Sequence, residues 1–275
     1  MSARGSLRAL LVVALLFASP AHAADAPARD AEKSLPPAPS AVRGPLVVFA
    51  ASSLHEGMTA LGHRFTAATG LDVRFNFAGS QELRTQLEQG AQADLFVSAD
   101  RRHAEALEQA GLVLAPTLFA RNRLTIVVRR GNPEGVQTLA DLAGLAHLAI
   151  GAHEVPVGAY AEQLLALADK RRPGLAAHIT AKISSRELNV RQVLMKVALG
   201  EADAGIVYAT DARAMATRVA EVPLPPELAL RTDDLIAIAS HAQNPPGASA
   251  FIAFVLSAAG QAELSALGFS GPELP

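Results

Sequence analysis

From Leu46 onward, short unbroken apolar runs alternate with segments whose apolar residues recur at helical spacing. The run "LVVFAA" (46–51) is continuously apolar, as a strand covered on both faces must be. In "LHEGMTALGHRFTAATG" (54–70), Leu54, Met58, Leu61 and Phe65 fall on one helical face and Gly70 ends the period. "LDVRFNFAG" (71–79) alternates like a strand, "SQELRTQLEQG" (80–90) reads as a helix, "ADLFVSAD" (93–100) as a strand and "HAEALEQAG" (103–111) as a helix. Strand and helix in strict alternation predict an α/β protein with a largely parallel sheet.

A second α/β set follows. "RLTIVVRRG" (123–131) reads as a long strand, followed by "TLADLAG" (138–144), "LAIG" (148–151), "AYAEQLLALADKR" (159–171), "VRQVLMKVALGEAD" (190–203) and "AGIVYATD" (204–211). "DDLIAIAS" (233–240) reads as another long strand, and "GASAFIAFVLSAAGQAELSALGF" (247–269) as an amphipathic helical ending. No internal repeat of fixed period is present. The pattern predicts two α/β lobes joined by two long crossing strands: residues 46–122 with 234–275, and residues 123–233.

The first 45 residues belong to neither set. Arg4 and Arg8, the apolar run Ala9–Phe17 and the small-x-small triplet Ala21-His22-Ala23 have the layout of a secretory signal peptide, with cleavage expected after Ala23. That apolar run is too short to span a bilayer. Residues 24–45 carry Pro27, Pro36, Pro37, Pro39 and Pro45 among Ala and charges, so a disordered linker is expected. Residues 1–23 hold two Arg and no acidic residue, so their removal takes the net charge from −2 to −4. No basic stripe remains to track phosphates, which argues against nucleic acid as a partner. The 275 residues contain no Cys, which excludes disulfides, thiolate metal sites and a Cys nucleophile. A soluble, exported, periplasmic product is expected.

Chemistry concentrates where strands end. Ser53 and Ser80 stand at the exits of two predicted parallel strands, where open α/β sheets bind ligands, and each directly adjoins a predicted helix. Ser is a preferred N-cap, so ordinary capping is one reading of both. The layout recurs in the second set, at Val157-Gly158 and at Asn189-Val190. Four helix N-termini aimed at one cleft would offer unpaired N–H groups and partial positive charge to an anion. Recognisable nucleotide-binding, hydrolase and zinc motifs are absent. His55 and His63 share one helix but lack a third ligand at metal spacing.

The stretches "VFAASSL", "FAGSQEL", "GAQADLFVSAD", "VPVGAYA", "NVRQVLMKVALGEADAGIVYATDA" and the closing "ALGF" resemble, in order from Leu46 to Phe269, the periplasmic molybdate-binding proteins of ABC transporters. That resemblance implies a two-lobed type II periplasmic-binding fold with a hinge of two crossing strands near 123–129 and 231–236. It also implies molybdate or tungstate held between the lobes by neutral donors alone. By position these are the hydroxyl and N–H of Ser53 and of Ser80, the backbone N–H of Val157 and of Val190, and the phenol of Tyr208. No direct cation ligand, no cofactor and no catalysis are implied. The implied partner is an ABC permease in the inner membrane, and a monomer is expected. The chain departs from the family's habits at Val157, where Ala is common, at Asn189, where an acidic residue is frequent, and at Gly79, where Ser is common.

Other readings compete with this one. A different oxyanion or a metal complex would draw on carboxylates such as Glu154 and Glu187, or on tyrosines, of which the chain has only Tyr160 and Tyr208. Tyr160 is expected to pack its helix. An enzyme would need Ser52 or Ser53 activated by His55, with no orienting acid evident.

Overall fold

The computed structural model describes residues 44–272. The signal peptide and all but the last two residues of the linker lie outside them. Nine strands form one continuous sheet: β1 (Leu46–Ala51), β2 (Val73–Ala78), β3 (Leu95–Ser98), β4 (Thr117–Arg129), β5 (Leu148–Gly151), β6 (Ile183–Glu187), β7 (Ala204–Tyr208), β8 (Val219–Val222) and β9 (Arg231–Ile238). Their order is β2-β1-β3-β9-β4-β7-β5-β6, with β8 also paired to β4. Strands β2, β1 and β3 run parallel, as do β6, β5 and β7. The centre is antiparallel, β9 lying between β3 and β4.

The apolar runs are explained by what covers them. In β1 and β3, Val48, Ala50, Leu95 and Val97 belong to one buried cluster, while Phe49 and Phe96 point into a second on the opposite face. The first face is covered by α1 (His55–Thr69), α8 (Pro245–Leu256) and α9 (Ala258–Leu267), whose Phe65 and Phe251 meet edge to face at 5.2 Å. The second is covered by α2 (Ser80–Glu88) and α3 (Arg101–Gln109) through Leu83, Leu87 and Leu107. With both faces covered, no polar alternation survives in these strands. The other half is built likewise: Val193 and Val197 of α6 (Val190–Leu199) and Leu164 of α4 (Pro156–Arg171) join the strand side chains Ile126, Val128, Ile150 and Ile206 in one cluster.

Strand β4 belongs to both halves. Residues 117–123 pair with β9, and residues 124–129 pair with β7 and β8. It begins six residues before the strand read from sequence, because "TLFARN" is half polar and does not stand out as a run. The helical ending is two helices bent by 63°. Ser257 sits at the bend, where its hydroxyl oxygen accepts the Gly260 N–H at 3.2 Å and so starts α9. Two further short helices, α5 (Leu175–Thr180) and α7 (Ala209–Ala214), complete the fold. Among the described residues no single helix is long and apolar enough to cross a membrane.

Candidate functional site

The carboxyl ends of the parallel strands from both halves converge on one small cavity. Ser53, Ser80, Val157, Val190 and Tyr208, the five residues singled out from sequence, all line it, together with Ala51, Ser52, Gly79, Ala99, Val155, Pro156 and Asn189. No lining side chain carries a charge.

Each lining residue is placed by a strand exit. β1 passes into a 3-10 turn, Ser52–Leu54, before α1 begins. Neither serine caps a helix there: Ala51 is the N-cap of the turn and Leu54 that of α1, and neither makes a side-chain capping bond. Ser80 is the first residue inside α2 rather than its cap. The cap is Gly79, whose N–H donates to the Glu82 carboxylate at 2.8 Å. The capping role open to both serines from sequence is therefore filled by other residues.

The Ser80 hydroxyl oxygen accepts the buried Ala99 N–H at 3.2 Å. Its own proton remains available to the cavity. In the second half α4 starts with Pro156 at its first position, where a missing N–H costs nothing, so Val157 is the first residue to present a free N–H. The start of α4 lies hard against β5: a Cβ on Gly158 would sit 2.0 Å from the Ala152 carbonyl oxygen, so only glycine fits. Asn189 caps α6, its side-chain oxygen accepting the Gln192 N–H at 3.1 Å, and this leaves Val190 as the first helical residue with an open N–H. Asn therefore performs, without charge, the capping that an acidic residue would perform.

Tyr208 ends β7 and is 1 % exposed, and its phenol oxygen has no hydrogen-bond partner among the described residues. Burial, then the neighbouring Tyr160, Asp234 and Asp100, push its pKa well above the usual value, so the phenol keeps its proton. Behind it, burial pushes the Asp234 carboxyl far above its usual range, helped by Asp233, Asp211 and Asp100. Asp211 is raised to about 7, chiefly by burial, with Arg191 pulling the other way. Burial thus disfavours the charged form of both acids behind the cavity wall. The arrangement can donate hydrogen bonds from several directions. It suits a desolvated anion that accepts hydrogen bonds at every oxygen.

Residues weighed for other chemistry lie elsewhere. His55 is exposed and its ring lies 4.6 Å from Phe77. Glu187 pairs with Lys196 at 3.9 Å and lies outside the cavity lining. The Tyr160 hydroxyl accepts the Asp233 N–H at 3.4 Å and does not reach the lining. Among the described residues no three His, Cys, Asp or Glu converge as a metal site.

Contacts that cross the cleft were not legible from sequence. Gln81 donates to the Leu188 carbonyl at 2.7 Å, and His103 donates through Nε2 to the Glu154 carbonyl at 2.9 Å. Arg191 donates through Nε to the Ser52 carbonyl at 3.2 Å and pairs with Glu56. The partners lie from 51 to 139 residues apart along the chain, so spacing gives no sign of them.

Two α/β halves sharing crossing strands, with facing helix N-termini around one cavity, have the type II periplasmic-binding fold. The family model for bacterial extracellular solute-binding proteins matches residues 46–270, and the chain belongs to that family. It is 40 % identical over 243 residues to the molybdate-binding protein ModA of Mycobacterium tuberculosis, covering 87 % of this chain and 89 % of that one. Among solved structures, the substrate-binding domain of a putative molybdenum ABC transporter from Clostridium difficile superposes with a TM-score of 0.63 at 26 % identity, over 83 % of this chain and 99 % of that one. The periplasmic molybdate-binding protein of Azotobacter vinelandii shares the fold with a TM-score of 0.72 at 23 % identity, over 84 % and 99 %.

Proposed function

We propose that this protein is the substrate-binding component of an ABC transporter, carrying molybdate, and tungstate with it, to a permease in the inner membrane. The observation that carries this reading is the Tyr208 hydroxyl: a buried, protonated donor with no partner among the described residues, at the wall of a cavity lined by no charged side chain. The ligand set is the hydroxyl and N–H of Ser53 and of Ser80, the N–H of Val157 and of Val190, and the phenol of Tyr208. A buried dianion must recover a large hydration energy. Hydrogen bonds to a charged group contribute about 1.5–3 kcal/mol each, so these seven give roughly 10–21 kcal/mol before ordering costs, in keeping with micromolar to nanomolar affinity.

Selectivity follows from the same donors. Donors spaced for a large tetrahedral oxyanion would leave the smaller sulfate under-contacted. Phosphate brings a proton near neutral pH, which a site without an acceptor leaves unpaired. Molybdate and tungstate make the same demands and are expected to bind alike. The protein works as an exported monomer after loss of residues 1–23. Residues 46–122 with 234–275 form one lobe and residues 123–233 the other, closing over the anion by bending at β4 and β9. It turns nothing over.

Calorimetric titration of residues 24–275 with molybdate, tungstate, sulfate and phosphate tests this. Strong heats for the first two and flat traces for the others are expected. Silence with molybdate and tungstate, or equal heats with sulfate, would overturn the assignment.

A further inference from the structure

One guanidinium ties together the two sides of the cavity. Arg191 directly follows Val190, the donor at the start of α6, and its Nε donates to the carbonyl of Ser52, the residue directly before the donor Ser53. The same guanidinium pairs with Glu56 on α1, in the opposite half, and lies 3.3 Å from Oδ1 of Asp211, which is fully buried in its own half. Arg191 is a quarter exposed and Glu56 two-fifths exposed, so this charged bridge sits at the edge of the cleft rather than inside it. Arg191, Glu56 and Asp211 lie outside the anion-facing lining, to which Ser52 belongs.

We infer that Arg191 is a positioning residue for anion binding: a strap from α6 to the Ser52–Leu54 turn and α1 that sets how long the closed cleft holds its ligand. The inference rests on the reading of the cavity as an anion site and adds a kinetic role for a residue outside the lining. The asymmetry of the partners supports it. Asp211 stays with Arg191 whether the halves are together or apart, because both lie on the same side of the cleft. Glu56 and the Ser52 carbonyl are held only when the halves meet. Opening must therefore break the Glu56 pair and the Ser52 hydrogen bond, and the approach of a ligand to an open cleft need not. The strap should act on dissociation and leave association alone.

The sign of one substitution separates this role from plain electrostatics. Glu56 is a carboxylate near the mouth of an anion site, so if it acted only through its charge, Glu56→Gln would tighten binding. If it anchors the strap, Glu56→Gln speeds molybdate dissociation by roughly threefold to fivefold, the range for a part-exposed ion pair, with association within twofold of the parent. Arg191→Lys keeps the charge but loses the fork that reaches two partners at once, and is expected to dissociate as fast as Glu56→Gln. Stopped-flow measurement of molybdate binding and release gives both rates.

A second measurement does not depend on the ligand. The chain has no Cys, so Gln89→Cys on α2's side and Gln163→Cys on α4 give one spin label in each half. Without molybdate, the distance distribution should move to longer values in Glu56→Gln. Faster release together with the longer distances supports the strap; slower or unchanged release with unchanged distances overturns it. If the parent protein fails to bind molybdate, the anion reading falls, and the label distances alone decide whether Arg191 holds the halves together.

Discussion

The hydroxyl oxygen of Ser80 accepts the backbone N–H of Ala99 at 3.2 Å, at the junction of α2 and the exit of β3. That bond fixes the direction of the hydroxyl, and it gives Ser80 two tasks where Ser53 has one. Ser80→Ala removes a donor from the cavity and also leaves the buried Ala99 N–H without its acceptor. Both molybdate affinity and the ligand-free melting temperature should fall, the latter by an amount corresponding to about 1–3 kcal/mol. Ser53→Ala should lower affinity by roughly tenfold to a hundredfold with little change in melting temperature, because Ser53 caps no helix. Calorimetry paired with thermal denaturation separates the two.

Tyr208→Phe removes a hydroxyl that has no partner among the described residues. The ligand-free protein should be as stable as the parent or slightly more so, since an unpaired buried hydroxyl is lost. The extra stability conferred by saturating molybdate should shrink as affinity drops by roughly tenfold or more. Melting curves with and without molybdate test both halves of this statement.

Gly79 faces the Leu188 carbonyl across the cleft, and a Cβ there would lie 2.6 Å from that oxygen. Gly79→Ala should therefore hinder closure and weaken molybdate binding while leaving the ligand-free melting temperature nearly unchanged. Gly158→Ala acts within one half, where its Cβ would meet the Ala152 oxygen at 2.0 Å. It should destabilise the protein by about 1–3 kcal/mol even without ligand, as overpacking does. Chemical denaturation of the two variants distinguishes them.

The Asp211 carboxyl is raised from 3.8 to about 7 in the folded protein, mainly by burial, against the opposing pull of Arg191 and with Glu56 adding to the rise. A raised acid binds its proton more tightly folded than unfolded. Its contribution to stability is thus fully present below about pH 4 and is lost as pH rises toward about 7. The loss is on the order of 4 kcal/mol as an upper bound. Asp211→Asn, which cannot ionise, should flatten this part of the pH–stability profile. An unchanged slope between pH 4 and 7 in the variant would show that other groups set it.

The sequence carried the strand exits plainly, because burial on both faces leaves unbroken apolar runs such as Leu46–Ala51 and Ala204–Tyr208. Ser53, Ser80, Val157 and Val190 were legible because they stand at strand exits or helix starts, whereas Tyr208 was assigned through the family resemblance. Elements with weak patterns were not. β6 reads "ISSRE" and β8 "VAEV", short edge pieces with a single polar side, and α5 covers only six residues. The bend at Ser257 was hidden because the apolar period runs on through it. Nothing local in the sequence shows that the partners of Arg191 are Ser52 and Glu56.

Strand β9 is made late and sits early. It lies between β3 and β4 in the sheet, and α8 and α9, later still, close over Phe65 of α1. The part of the chain that begins first therefore cannot finish its core until Phe251 and Phe254 have been delivered, whereas residues 124–222 carry all the strands of the other half within one stretch. During synthesis the leading segment must wait with its sheet edge and its apolar face uncovered. For a chain threaded across a membrane before it folds, that delay is an advantage: the end that leads the way out cannot lock into its final form until nearly all of the polypeptide has followed.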